Sequence, residues 1–157
     1  MTTDCPGTSL SSRYWLLGLL LVLVTPALSM AVSGLVEGMG LVSVVRVVGE
    51  QFFIGRGNLG MISVLGLVPF LLLAALIWIL DRLFYIECSK KTMFLTALFV
   101  MVVIIFWSSM DYWRTYLPDR KFMSWPHGLE LVIGPLFFAP VGMVLGVLAG
   151  WFIARFG

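Results

Sequence analysis

Four long apolar runs alternate with three polar connections along the chain: Tyr14 to Val36, Leu59 to Leu80, Thr92 to Met110 and Leu129 to Arg155. At a rise of ~1.5 Å per residue, each is long enough to cross a hydrocarbon layer of ~30 Å. The central parts of these runs carry no ionisable residue. A segment that must satisfy its own backbone in lipid has to be helical or part of a closed barrel, and runs of this length fit helices. The pattern therefore predicts an all-α membrane bundle of four transmembrane helices. It is read as a single membrane domain over residues 1–157, with residues 1–13 as a polar tail.

The runs and connections differ in character. Tyr14 and Trp15 open the first run where an aromatic belt would lie. Thr25, Ser29 and Ser33 recur on one helical face, which should point into the bundle, and Pro26 should kink the helix. A second reading stays open here, because Arg13, the leucine run, Pro26 and Ala27-Leu28-Ser29 also match a secretory signal peptide with its cleavage site. The connection 37–58 is not an ordinary loop. Ser43, Arg46 and Glu50 recur with helical spacing among Val44, Val45, Val47 and Val48, too short and too charged to span. It is expected to be an amphipathic helix in the membrane interface, with a short strand or re-entrant turn as the alternative that β-branched valines allow. The third run is built from bulky residues such as Phe94, Leu98, Phe99, Met101 and Phe106, with Ala97 alone as a small residue before Ser108. It is expected to be the most lipid-exposed helix. The connection 111–128 combines Tyr112, Trp113, Tyr116 and Trp125 with charges and prolines, as an interfacial, aromatic-anchored loop would.

The last run carries the strongest pattern in the chain. Pro135, Ala139, Gly142, Gly146, Gly150 and Ala154 fall on one stripe, with Gly142, Gly146 and Gly150 spaced four apart. Helices in lipid gain little from hydrophobic association, so they hold together where small residues let backbones approach closely. The stripe is the expected helix-packing face, either within this chain or against another subunit.

Composition agrees with the pattern. Of 157 residues, 61% are hydrophobic and 11% charged, and the mean hydropathy is +1.05. Soluble domains average about 25% charged residues. The net charge of +2 is spread without a basic block, so nucleic acid is not an expected partner. Cys5 and Cys88 form no metal or redox motif. Basic residues tie between the two sides of a four-span topology. Arg13, Arg82, Lys90, Lys91 and Arg155 lie on the side of the termini, and Arg46, Arg56, Arg114, Arg120 and Lys121 on the other. The Lys90-Lys91 pair and the Trp- and Pro-rich third connection favour cytoplasmic N- and C-termini in a cytoplasmic (inner or plasma) membrane.

Candidate chemistry is sparse. His127 is the sole histidine, which leaves no multi-histidine metal or haem set within the chain. Asp111, Arg114, His127 and Glu130 could form a polar interface site, although Glu130 better suits an acidic residue at a helix N-terminus, with His127 as an interface residue. No catalytic, cofactor or metal site is expected. The function expected is interaction with another membrane protein, or with itself, in the lipid bilayer. Two forms fit: an accessory subunit of a membrane complex, or an immunity-type protein protecting against a membrane-acting toxin. A small oligomeric transporter or channel is the alternative.

Overall fold

The structure is a computed structural model that describes residues 10–53, 59–84, 86, 89–116 and 132–156, with the backbone alone for 52, 53, 111, 112 and 114–116. The described residues are helical: α1 (Ser12–Val36), α2 (Leu41–Phe53), α3 (Leu59–Phe84), α4 (Lys90–Tyr116) and α5 (Ala139–Phe156), the last preceded by a π-helical turn, Gly134–Phe138. Four of these segments are long and apolar enough to cross a membrane: Ser12–Val36, Leu59–Phe84, Lys90–Met110 and Gly134–Phe156.

The helix bounds depart from the expected ones where polarity alone suggested a stop. Asp81 and Arg82 continue α3 to Phe84, and Asp111 to Tyr116 continue α4 beyond the apolar run. A charged last turn remains good helix when its side chains find solvent or partners, and Asp81 pairs with Lys90 at the start of α4. Pro26 and Pro69 sit inside α1 and α3 without ending them. Residues 41–53 are helical rather than strand or re-entrant turn.

The main core lies where α1, α3, α4 and α5 meet. It contains Val22, Phe70, Leu73, Ile77, Phe94, Ala97, Met101, Ile105, Met143 and Val147. The expectation that the third run would be the most lipid-exposed helix is overturned. α4 packs most extensively on α5 and next on α1. The buried share is 39% for the α1, α3 and α4 spans and 33% for the last one. The physical reason is that α4 is covered on more than one side: Thr96-Ala97 and the backbone at Met93 lie on Gly146 and Gly150 of α5, while Phe94 and Leu98 reach Gly18 of α1 and Ile105 reaches towards Gly66 of α3. The bulky Phe94, Leu98, Met101 and Ile105 are core residues rather than lipid-facing ones.

Thr25, Ser29 and Ser33 are buried on one face of α1, as their spacing predicted. Each hydroxyl bonds back to its own helix: Thr25 to the Leu21 carbonyl at 2.7 Å, Ser29 to that of Pro26 at 3.0 Å and Ser33 to that of Ser29 at 2.8 Å. Ser33 also reaches the Met110 carbonyl of α4 at 3.4 Å.

α1 ends in a Schellman motif. Met39 N–H donates to Gly34 O at 2.9 Å and Gly38 N–H to Leu35 O at 3.0 Å, with Gly38 at φ +85°. That geometry satisfies the last carbonyls of α1 and needs a residue without a Cβ penalty. It turns the chain so that α2 folds back onto the end of the bundle. There Val44 is buried, and Val47 and Val48 pack on a second cluster of Met30, Leu59, Ile62 and Trp113.

Candidate functional site

The seam between α4 and α5 is where the residues singled out in the last run come together. A Cβ built on Gly146 would lie 2.6 Å from the Cα of Ala97 and 3.0 Å from the Thr96 carbonyl oxygen. One on Gly150 would lie 2.6 Å from the Cα of Met93, and one on Gly142 would strike Ile104 and Val100. At Gly134 it would strike the Ser108 side chain. The contacts step regularly along two antiparallel helices, from Gly134 against Ser108 to Gly150 against Met93. Over the sixteen steps from Gly134 to Gly150, α5 and its π-helical turn thus follow α4 for about 24 Å. Backbone lies on backbone at Gly146 and Gly150, the close approach that helices in lipid use in place of hydrophobic drive.

Pro135, Ala139, Gly142, Gly146 and Gly150 are all buried. Ala154 is exposed, so the close contact ends before the last turn of α5. Ala97 sits directly against Gly146. Thr96, beside it, donates its hydroxyl to the Gly146 carbonyl at 2.7 Å, with the Thr92 carbonyl at 2.8 Å as a second acceptor within its own helix. Sequence reasoning missed Thr96. The available signal was that Thr96-Ala97 is the only small polar–small pair in the first half of a bulky helix.

Beside this seam an apolar groove of about 740 Å³ opens to the outside. Gly134, Gly142 and Ser108 are among its lining residues, with Trp107, Phe138 and Leu145. Trp107 is 74% exposed. The π-helical turn contributes to its shape, since widening one helical turn displaces Phe137 and Phe138 outward, where both are exposed.

The expected polar interface site falls largely outside the described residues. Asp111 and Arg114 lie on the last two turns of α4, with their side chains not described, and His127 and Glu130 lie outside. Cys5 and Cys88 lie outside as well. Among the described residues the buried polar side chains are Thr25, Ser29, Ser33, Ser63 and Ser109. The hydroxyls of Ser63 and Ser109 have no hydrogen-bond partner among the described residues. They come from adjacent helices at similar depth. A Cβ on Gly66 of α3 would touch Ile105 of α4 at 4.0 Å, and Ser63 and Ser109 each lie about one turn from that contact in the same direction.

A comparison of the chain with protein-family models, with curated protein sequences and with solved structures finds no match.

Proposed function

We propose that this chain is a small polytopic integral membrane protein that works, without catalysis, by contact with another membrane protein. Two forms fit: an accessory subunit of a membrane complex, or an immunity-type protein that protects against a membrane-acting toxin. The observation that carries the reading is the groove beside the α4–α5 seam. It is apolar and open, and Val103, Trp107, Phe138, Val141 and Leu145 line it with exposed side chains on which another helix could pack. The glycine stripe itself is taken up by α4, so a partner would meet this neighbouring surface. In the same reading α2 lies in the membrane interface. Val44, Val47 and Val48 turn to the bundle, while Ser43, Arg46 and Glu50 lie on a polar side and Leu41, Val42 and Val45 are exposed. Both termini are placed in the cytoplasm of a cell whose cytoplasmic membrane holds the protein.

The test is a mild-detergent pull-down from native membranes, comparing the wild type with Leu145→Trp. Leu145 is exposed and lines the groove, so the substitution fills the groove without entering the core. A stoichiometric partner that is lost in Leu145→Trp supports the reading. A partner retained in full by the variant, or none in either, counts against it.

A second reading, a small oligomeric transporter or channel, draws on Ser63 and Ser109, whose buried hydroxyls lack partners among the described residues. It predicts a homo-oligomer and ion or solute flux in proteoliposomes that changes in Ser109→Ala.

A further inference from the structure

The end of the bundle at which α1 starts and α5 stops has a charge and a shape that fit one kind of lipid. The start of α1, the end of α3, the start of α4 and the end of α5 meet there. Lys91 Nζ lies 4.9 Å over the Tyr14 ring, which ties α4 to α1, and Lys90 pairs with Asp81, which ties α4 to α3. Gly150 against Met93 brings the end of α5 to the same level. The described side chains at this end include Arg13, Arg82, Lys90, Lys91 and Arg155 but a single carboxylate, Asp81, already engaged by Lys90. The other end has Arg46 against Glu37 and Glu50 among its described side chains. Among the described side chains, the end with Arg13 thus carries the larger positive excess.

Between α1 and α3 at the positive end lies a groove of about 460 Å³, with Ser12 and Arg13 at its polar mouth and Trp15, Leu16, Leu19 and Phe70 along its length. Its wall is braced, because the Trp15 ring packs edge-on to Phe70 at 6.1 Å and against Phe94 at 4.6 Å. Arg13 is exposed and, among the described residues, has no carboxylate partner. An exposed cation at the mouth of an apolar slot is complementary to an amphiphile with a negative head and a hydrocarbon tail. A guanidinium takes a phosphate oxygen pair well.

We infer that this groove binds an anionic phospholipid, with the phosphate on Arg13 and one acyl chain lying along Leu16, Leu19 and Phe70. The inference rests on the membrane reading above. Lys91, on the neighbouring turn of α4, adds to the attraction without lining the groove. The site also has a topological consequence. The cytoplasmic leaflet is the one rich in anionic lipid, so occupancy favours cytoplasmic termini where the basic residues of the sequence only tie.

The test uses the full-length protein in nanodiscs of phosphatidylcholine doped with either a phosphatidylglycerol or a phosphatidylcholine carrying a diazirine on its acyl chain. Crosslinked residues are mapped by mass spectrometry. The expected result is preferential labelling of the 12–19 segment by the phosphatidylglycerol probe. That preference should fall about fivefold in Arg13→Gln, the loss of one cation close to an anionic surface. Leu16→Trp, at an exposed lining position, should block labelling by both probes, and Arg155→Gln, outside the groove, should leave it unchanged. Equal labelling by the two probes, an undiminished preference in Arg13→Gln, or a crosslinked second copy of the chain in place of lipid overturns the inference. Retention of the wild type in carbonate-washed membranes separates this failure from a failure of the membrane reading.

Discussion

The Thr96 hydroxyl of α4 donates to the main-chain carbonyl of Gly146 in α5 at 2.7 Å, across a point where the two backbones nearly touch. The bond exists because of the glycine. A Cβ at position 146 would press on the Ala97 backbone and the Thr96 carbonyl and drive the two helices apart at this bond. One residue therefore sets both the van der Waals contact and the polar contact of the seam.

Gly146→Ala should destabilise the protein by about 1–3 kcal/mol, since its methyl would sit 2.6 Å from the Ala97 Cα and neither backbone can rotate away. Gly146→Leu should cost more and reduce folded yield. Thermal midpoints in detergent, read by fluorescence-detected size exclusion, check this. An unchanged midpoint for Gly146→Leu would mean that α5 does not pack on α4 through this face.

Thr96→Val keeps the shape and removes the donor. Interhelical hydrogen bonds in membrane proteins average about 0.6 kcal/mol, so a small but measurable loss is expected, with Thr96→Ser closer to wild type. Equal stability of Thr96→Val and wild type would show that the hydroxyl serves only its own helix, through the Thr92 carbonyl at 2.8 Å.

Two glycines should respond in opposite directions. Gly38 holds a φ of +85° at the end of α1, where an L side chain costs roughly 1–2 kcal/mol. Gly38→Ala should destabilise by that amount and loosen α2. Gly49 lies within α2 with nothing within 4 Å of a built Cβ, so Gly49→Ala should stabilise the helix by about 0.5–1 kcal/mol. Proteolysis of the 37–58 region, compared between the variants, reads both effects; the same response at both positions would contradict the Schellman ending.

Ser33 and Ser109 offer a further contrast. Ser33→Ala removes a hydroxyl bonded to Ser29 and near Met110, which should cost about 0.5–1.5 kcal/mol. Ser109→Ala removes a buried hydroxyl without a partner among the described residues and should be neutral or stabilising. Chemical denaturation in mixed micelles distinguishes them. A destabilised Ser109→Ala would reveal a bonded group inside the bundle and strengthen the transporter reading.

Hydropathy alone determined the helical class, the number of long apolar helices and their approximate bounds, because a segment of some twenty apolar residues has few alternatives to a helix in lipid. Helical spacing likewise placed Thr25, Ser29 and Ser33 on one inward face. The glycine periodicity of the last run marked a face of close approach, but periodicity is a property of one helix and names no partner. Only the tertiary structure decided that α4 meets that face and that Thr96 completes the contact. It also decided that Ala154 lies beyond the contact and that the bulky third run is a central helix. Bulk by itself suits lipid and a protein core equally well, and the choice depends on which surface it meets. The charges tell the same story. A count along the chain ties five basic residues against five and already puts Arg13, Arg82, Lys90, Lys91 and Arg155 on one side; folding decides what they meet, Lys90 on Asp81 and Lys91 over the Tyr14 ring, because distance between charges is set by the packing of helices and not by the order of residues.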